Sequence, residues 1–504
     1  MKFGKLILFM SLILMSAARL QAQTNRVNAL TLEEAIKLAL QHNLDVQIEQ
    51  VNPEISYFNL NASYAPYDPR FSFRAQQRFY SNPGGFNSTT GLPAPATDSY
   101  TENFEPGLTG TLPTGLTYDF GADLANRTSG TFFDTNGVSQ DRGFQYRPTV
   151  SVDLAQPLLK NFWIDATRQT ILVNKKTLKI SELGVRGRIM DVVNRVEQTY
   201  YDLIFAIENV RVQEKALELA ERLLSENKRR VQVGALAPLD EKQAESQAAG
   251  SRADLLSAKR DLDVQENILK SLITDDYKIW YSIDIRPEEK LVAIPEKFNV
   301  LESWEHGMTQ RTDLLQARVD IERRDIVLRY QKNQLFPQLD LIGSYGRNGL
   351  EKHFGSGLED IRDEKYPTYS YGVLFSIPLS NRGPRNQYRA SKSEKEQALL
   401  QLKQLEQNVM VQIDDSVKSA QTSFERVDAT KQARLYAEAA LEAEQKKLEN
   451  GKSTSFVVLQ LQRDLTTARS QEIRALADYN KALAQLSFNE GTVLERNHLT
   501  VEVK

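Results

Sequence analysis

The side chains of this sequence that could carry out chemistry are few and scattered. The chain has 504 residues, no cysteine and four histidines. Without cysteine the chain has no disulfide and no thiolate metal site. The histidines are not spaced as metal ligands, and we interpret them as solvated polar residues. They are His42, His306, His353 and His498.

The remaining candidates also lack a catalytic arrangement. The carboxylates of Asp414 and Asp415 are adjacent, and neighbouring positions on a helix do not face each other. The segment Pro83-Gly84-Gly85 lacks the strand and lysine context of a phosphate-binding loop. The net charge of −3 gives no general reason to expect nucleic acid as a partner. The sequence therefore predicts a protein that is not an enzyme and has no cofactor, metal or nucleic-acid partner.

The elements that must position any functional residue are long helices that occur twice. Apolar residues recur at spacings of 3 and 4, and the same series returns 217 positions later without a gap. The first series is Val192, Val196, Tyr200, Leu203, Ile207 and Val210, and the second is Val409, Ile413, Val417, Ala420, Phe424 and Val427. The spacing predicts coiled-coil-like helices, and the fixed offset predicts a duplicated unit.

Each long helix is followed by a short break, which we call the first tip (about 233–238) and the second tip (450–455). Glycine supplies the positive φ that a tight turn needs, proline suits the first turn of a helix, and an acid favours the helix N-terminus. The candidate residues are Val233, Gly234, Pro238 and Asp240 in the first tip, and Asn450, Gly451 and Ser453 in the second.

From residue 70 the apolar residues recur at every second position. This period predicts strands at about 70–158 and 338–378, joined by a short turn at Pro113-Thr114-Gly115 and by polar loops at 81–98 and 126–143. Such segments are typical of a transmembrane β-barrel. The alternation predicts that Tyr118, Phe120, Val152 and Leu154 face lipid, and that Asp119, Asp123 and Asp153 face the lumen.

The two β regions differ in length. The prolines that flank them are 88 residues apart in the first copy (Pro69 and Pro157) and 41 apart in the second (Pro337 and Pro378). The difference of 47 leaves room for one more hairpin, at about 104–124, so we count four strands in the first copy and two in the second. The alternative is that 104–124 folds outside the membrane as an elaborated loop.

The remaining boundaries follow from targeting and capping signals. Residues 1–22 resemble a secretory signal peptide, and without a cysteine to acylate the protein is not expected to be a lipoprotein. Thr31 and Glu34 form a capping-box pattern before a helix that we expect to be interrupted near Pro53. We assign 23–273 to the first repeat, 274–298 to a connector, 299–490 to the second repeat and 491–504 to a C-terminal tail.

This order of elements resembles the TolC-type outer-membrane efflux proteins. The local markers are Leu335-Phe336-Pro337, Gln156-Pro157-Leu158, Ile377-Pro378-Leu379 and the two tips. The resemblance implies an α+β membrane protein, in which a homotrimer shares one outer-membrane β-barrel that continues as a long α-helical, coiled-coil-like tunnel. Family members usually contribute four strands per chain and twelve per trimer, whereas the count here gives six and eighteen.

The resemblance also implies a function. The trimer would be a passive exit duct of a tripartite efflux or type I secretion system, in the outer membrane of a Gram-negative bacterium. A periplasmic adaptor (membrane fusion protein) would dock at the tips, an inner-membrane pump would supply energy, and the tips would form the gate. The alternative is a secreted structural coiled-coil protein with a soluble β head.

The tips match the family only in part. Asp240 matches an acid that is frequent there in the family, although a simple helix N-terminal acid remains an alternative. At the second tip the family's aspartates, arginine and tyrosine are replaced by Val457, Gln460, Ser453 and Leu448. No acidic constriction ring is therefore predicted.

Overall fold

The computed structural model describes residues 26–86, 91, 93–94, 97–133, 139–141 and 143–499. The predicted signal peptide lies outside the described residues. The α-helices are α1 (Leu32–His42), α2 (Leu44–Ala62), α3 (Ala166–Gln232), α4 (Pro238–Ile273), α5 (Tyr277–Trp280), α6 (Val300–Gln310), α7 (Thr312–Asn333), α8 (Phe354–Arg362), α9 (Arg382–Glu449), α10 (Ser455–Glu490) and α11 (Val493–Arg496).

The β-strands are β1 (Arg26–Leu30), β2 (Arg70–Asn82), β3 (Gly85–Phe86), β4 (Pro93–Ala94), β5 (Thr97–Thr111), β6 (Thr117–Asp123), β7 (Arg127–Phe133), β8 (Ser139–Asp141), β9 (Gln145–Tyr146), β10 (Thr149–Pro157), β11 (Ile283–Pro287), β12 (Gln338–Asn348) and β13 (Tyr366–Ser376). The described residues divide into two compact units. The helical unit comprises the residues up to Asn52, Glu182–Gln316 and those from Leu402, and the sheet unit comprises Pro53–Ser181 and Ala317–Gln401.

The helices reproduce the internal repeat closely. Helices α1 and α6 both have 11 residues, and α4 and α10 both have 36. The long helices α3 and α9 have 67 and 68 residues and end at equivalent positions, 217 apart. The predicted α+β fold with two structural repeats is therefore present in the chain.

The core of the helical unit contains the apolar residues that recur at spacings of 3 and 4 in the sequence, which we call the seam. Val192, Val196, Tyr200 and Leu203 are fully buried in one apolar cluster with α1 and α4. The equivalent residues Val409, Ile413 and Val417 are buried in a second cluster with α6 and α10. The Tyr200 hydroxyl donates to the Leu30 carbonyl at 2.9 Å, which satisfies its polar atom inside the core. Across the described part of the chain, no helix is both long and apolar enough to cross a membrane.

The N-terminal helices differ from the sequence prediction in the place of their break. Pro53 lies inside α2, and the chain bends at Asn43 instead. The Asn43 side chain accepts from the backbone amide of Asp45 at 2.9 Å and donates to the Leu272 carbonyl, also at 2.9 Å. It thereby caps α2 from a buried position, which places the break ten residues before the proline. The capping box at Thr31 and Glu34 is confirmed.

The connector and the C-terminal segment are more ordered than a linker and a tail. Strand β11 in the connector pairs in parallel with β1, which the sequence analysis missed. Val493 and Leu494 of α11 are buried in the same cluster as Tyr200. The segment after residue 491 is therefore part of the core of the helical unit, at least as far as residue 499.

The sheet unit contains six long strands in one antiparallel order, β13-β12-β10-β6-β5-β2. The hairpin β5–β6 lies between β2 and β10 and turns at the predicted Pro113-Thr114-Gly115, where Gly115 has a φ of +86°. The amide of Gln156, at the end of β10, donates to the Thr114 carbonyl at 3.2 Å. The hairpin is therefore an integral part of the sheet and is not a loop outside it.

The register gives the sheet one apolar and one polar face. One paired row on the apolar face is Phe71, Leu108, Phe120, Val152, Tyr345 and Tyr369. The next row, on the polar face, is Arg70, Thr109, Asp119, Asp153, Ser344 and Ser370. Apolar side chains stay exposed to a large extent, for example Phe71 at 70% and Tyr371 at 87%. The faces agree with the predicted lipid-facing and lumen-facing residues.

The segment predicted as a polar loop at 126–143 and the connection between β12 and β13 both contain further structure. Within 126–143, β7 pairs with β5 and with β8, because β5 has 15 residues and its partner β6 only 7. The unpaired half of β5 would otherwise expose its backbone groups. Between β12 and β13 the chain forms α8, where the buried Asp360 binds Lys365 at 2.6 Å and accepts from the Leu350 amide.

The facing of the sheet generates a testable prediction. Replacing Leu154 by arginine should cost about 2–4 kcal/mol in the free energy of unfolding from a bilayer, because a charge on a lipid-facing position near the midplane loses its hydration. The matched control, Asp153→Arg, lies on the polar face directly opposite Asp119 and should cost much less. Denaturant unfolding in lipid vesicles measures both, and equal tolerance would contradict the assigned faces.

Candidate functional site

The first tip is a tight turn held by backbone hydrogen bonds. After α3 ends, the Ala235 amide donates to the Arg230 carbonyl at 2.8 Å and the Gly234 amide to the Val231 carbonyl at 3.0 Å. This pair of bonds is a Schellman motif, which requires a positive φ, and Gly234 has a φ of +76°. A side chain at Gly234 would meet no atom within 4 Å, so the backbone angle alone demands glycine here.

The same tip prepares the start of α4. Pro238 occupies the first turn, where its missing amide hydrogen is not needed. The Asp240 carboxylate accepts from the Ala237 amide at 3.2 Å, and so satisfies one donor that the helix leaves free. Asp240 is therefore a helix-capping acid in this chain. Its negative charge also lies at the positive end of the helix dipole.

The second tip repeats this geometry 217 residues later. The Lys452 amide donates to the Lys447 carbonyl at 2.8 Å, the Gly451 amide donates to the Leu448 carbonyl at 3.1 Å, and Gly451 has a φ of +68°. The Asn450 side-chain amide donates to the Lys446 carbonyl at 2.8 Å and covers the end of α9.

Ser453 also ties the second tip to a carboxylate. Its hydroxyl donates to Glu444 at 2.5 Å. That hydrogen bond, followed by a second hydrogen bond from the Lys447 ammonium group, lowers the pKa of Glu444. The carboxylate is therefore held in its charged form, and its contribution to local stability would be lost only as the pH falls below the usual glutamate range.

The two tips are joined by one buried polar pair. Asn227, on α3, is 1% exposed, and Ser455, at the start of α10, is fully buried. The Ser455 hydroxyl donates to the Asn227 side-chain oxygen at 2.9 Å, and the Asn227 amide donates to the Asp240 carbonyl at 3.4 Å. Asn227 thus forms hydrogen bonds with the first turns of both α4 and α10, the helices that follow the two tips. The structure brings the two sets of predicted tip residues together through a residue that the sequence analysis did not name.

A sequence signal for Asn227 was available. The apolar seam of α3 continues through Ala220 and Leu223, and the next seam position is Asn227. A polar residue at a seam position needs an internal partner, as buried asparagines in coiled coils do. Both partners are buried, and Leu223 on α3 and Val458 and Leu459 on α10, each about one helical turn away in sequence, belong to one buried apolar cluster. Burial strengthens the hydrogen bond and raises the cost of leaving either partner unpaired.

The same ion pair joins the two long helices of each repeat. Arg252 binds Glu221 at 2.8 Å in the first copy, and the equivalent Arg469 binds Glu438 at 2.7 Å in the second. Exposed pairs of this kind contribute little to stability. Their repetition shows that the pairing between outgoing and returning helix is the same in both copies.

The tips expose large apolar side chains at equivalent positions. In the first tip Val233 is 78% exposed and Leu239 is 66% exposed. Phe456, which lies at the position equivalent to Leu239, is 52% exposed. Because an exposed apolar side chain occurs at the same position in both copies, it is a repeated feature of the tips and not an isolated surface residue. Within the described residues no group of three or more His, Asp or Glu side chains could hold a metal ion.

Comparison with protein families gives a match over most of the chain. The family model described as "Outer membrane efflux protein" matches residues 135–274 and 308–491. These ranges contain both long helical pairs, both tips and the strands β10, β12 and β13. The match therefore includes every predicted tip residue.

Individual proteins agree with this match. The outer membrane protein TolC of Escherichia coli (strain K12) is 23% identical over 376 residues, which are 73% of each chain. TolC of Vibrio cholerae is 25% identical over 323 residues, 62% of this chain and 70% of that protein. The crystal structure of the Campylobacter jejuni CmeC outer membrane channel has a TM-score of 0.66 at 16% identity, over 92% of this chain and 86% of that one. The predicted fold class is confirmed.

The turn geometry of the tips generates a second prediction. Gly451→Ala should destabilise the second tip by about 1–2 kcal/mol, because an L-residue is strained at positive φ. Hydrogen exchange of the amides at 450–454 should then rise about fivefold or more. Gly250→Ala is the matched control, because Gly250 lies inside α4 with no atom within 4 Å of the added Cβ, and alanine should stabilise that helix. Unchanged exchange in Gly451→Ala would contradict the assigned turn.

Proposed function

Because this chain belongs to the outer membrane efflux protein family, we propose that it forms the trimeric exit duct of a tripartite efflux or type I secretion system. The family is one of outer membrane proteins, so the protein is located in the outer membrane of a Gram-negative bacterium. Its helical hairpins extend into the periplasm. The duct conducts its cargo passively, and an inner-membrane pump provides the energy.

This proposal depends on one observation, a sheet that has an exposed apolar face and two unpaired edges. Among the described strands of one chain, β2 pairs only with β5, and β13 only with β12. Unpaired edges are not tolerated in lipid, so a membrane sheet of this kind needs further copies of the chain to close it. Three copies, as in trimeric family members, would close it into one barrel.

The same observation disfavours a secreted coiled-coil protein with a soluble β head. A soluble head would cover its apolar face with a second sheet or with helices. Here aromatic residues on five of the six long strands remain more than 40% exposed, for example Phe71, Phe104, Phe120, Tyr345 and Phe375. Monomeric soluble proteins rarely expose a contiguous apolar surface of this size.

We assign adaptor docking to the exposed apolar residues of the tips. Leu239 and Phe456 each lie five residues after the glycine of their turn, and neither is covered in the chain. A periplasmic adaptor that presents apolar side chains would remove this surface from water. Val233 adds to the first site from the turn itself.

We assign the closed state of the gate to the pair Asn227–Ser455. The proposed gate works by movement of one helical hairpin against the other around Gly234 and Gly451. The pair joins the two hairpins within about two helical turns of these glycines, and both of its side chains are buried. Opening would have to break it, so its strength biases the duct towards the closed state.

The gate assignment is tested by removing both partners together. In Asn227→Leu/Ser455→Ala neither partner of the pair is left as a buried unpaired group. The loss of a bond with a net value of about 0.5–1.5 kcal/mol should raise the open probability about two- to tenfold per chain. Single-channel conductance in a planar bilayer measures this. The matched control removes a similar pair further along the same helices, the Ser470 hydroxyl that donates to Asn209 at 2.9 Å.

The control variant, Asn209→Leu/Ser470→Ala, should conduct like the unmodified protein. An equal rise in both variants would mean that general loosening, and not the tip pair, opens the duct. No rise in the tip variant, with the trimer intact, would contradict the assignment.

Docking is tested separately from conduction. Leu239→Ser/Phe456→Ser should abolish transport by the assembled system in cells and leave the single-channel conductance of the purified trimer unchanged, because the exposed side chains contribute to the partner contact only. The control is Leu256→Ser, which removes a similarly exposed leucine from the middle of α4. Transport that survives the tip variant would contradict the proposed docking residues.

A further inference from the structure

The two open edges of the sheet fit each other. Strand β2 runs from the helix end of the sheet to the loop end, and the directions alternate through β5, β6, β10 and β12 to β13, which runs back to the helix end. An even number of alternating strands places antiparallel edges at the two sides. When β2 of one chain lies beside β13 of the next with their apolar faces on the same side, every neighbouring pair in the ring is antiparallel.

From this we propose that the barrel closes by pairing β13 of each chain with β2 of a second copy, and that the closed ring contains eighteen strands. The proposal rests on the proposed trimeric duct and adds to it the strand number, the joining strands and their register. The hairpin β5–β6 is an internal part of the ring, because β6 pairs with β10 over seven residues and β5 pairs with β2 over thirteen.

The stagger of the strands supports this number. The paired row from Arg70 to Ser370 crosses β2 at its first residue, so β2 continues from this row only towards the loop end of the sheet. The same row crosses β13 near its middle, and β13 continues from there towards the helix end as far as Ser376. The midpoint of β2 is Gln76 and that of β13 is Tyr371, so the two midpoints are displaced by about seven residues, or about 23 Å at about 3.3 Å per residue.

A closed barrel converts this stagger into a strand tilt. Six strand spacings of about 4.8 Å span about 29 Å, and a displacement of about 23 Å across them corresponds to a tilt of about 39°. Membrane barrels have tilts of about 35–45°. The stagger therefore fits six strands per chain.

The same geometry selects the register between β13 of one chain and β2 of the next, a contact that we call the joint. Residues that pair across neighbouring strands lie on the same face of the sheet. Tyr371 lies on the apolar face, so it can pair only with odd-numbered residues of β2. Opposite Ala75 the tilt would be about 35°, and opposite Gln77 about 42°, whereas the other odd positions fall outside the range for membrane barrels. The joint thus has two allowed registers.

The ring would be wider than one without the hairpin. Eighteen strands at this spacing and tilt give a backbone diameter of about 35 Å, against about 24 Å for twelve. Barrels of about 16–18 strands leave an aqueous channel. A ring of eighteen strands is therefore expected to enclose an aqueous channel.

Cysteine cross-linking tests the joint directly, because the chain has no cysteine of its own. Directly opposed residues lie about 4.5–5.5 Å apart between Cα atoms, within the range that a disulfide spans. Tyr371→Cys is combined with Ala75→Cys or with Gln77→Cys in the full-length trimer. We expect one of these two double variants to give a covalent trimer on non-reducing gels that reductant converts to monomer.

Two controls make the result specific. Tyr371→Cys/Gln76→Cys should give no covalent trimer, because Gln76 lies on the opposite face of β2. Phe120→Cys/Val152→Cys should form a disulfide within one chain, because the two residues pair in β6 and β10. The latter disulfide reports that the hairpin lies inside the ring.

The possible failures are distinguishable. The eighteen-strand ring would be overturned by a detergent-extracted trimer in which neither interchain pair cross-links. It would also be overturned if Phe71→Cys/Val152→Cys formed a disulfide, because β2 would then lie directly beside β10. Either result would leave the exit-duct proposal intact. A protein that is monomeric by native mass and extractable without detergent would overturn the exit-duct proposal itself.

Discussion

The backbone hydrogen bonds at a strand edge are the constraint on which the rest of this structure depends. In hydrocarbon an unpaired amide or carbonyl has no water to bind, so a sheet in a membrane has to close on itself. The described part of one chain supplies a sheet with an apolar face and two free edges. The need for further copies of the chain is a consequence of that single requirement.

The internal repeat explains why the helical and the β parts have diverged to different degrees. Packed helices in a two-copy arrangement tend to keep similar lengths, since an insertion in one would move its tip out of line with the other. The pairs α1/α6 and α4/α10 are equal to the residue. A sheet accepts a whole additional hairpin, because β5–β6 replaces one ladder of backbone bonds with three of the same kind. Only the first copy contains such a hairpin.

The sequence was sufficient for features that have a period. The seam of α3 and α9, the glycine turns and the two faces of the strands follow from spacing, and the structure contains them. Features that depend on contacts distant in the chain were missed. Strand β1 has too few residues to show a pattern, and only β11, more than 250 positions away, makes it a strand. Likewise, Pro53 suggested a break that the Asn43 cap places elsewhere, and the partner of Asn227 is 228 residues distant.

The glycine turns at the tips have a consequence for how this surface can change over time. Both turns are specified by backbone bonds and by the φ of one glycine each, and the side chains of Asp240, Asn450 and Ser453 add further hydrogen bonds. The exposed side chains of Val233 and Leu239 make none of these bonds, so their replacement should affect folding little. The proposed docking residues could therefore change over time at little thermodynamic cost, while the turns that carry them remain unaltered.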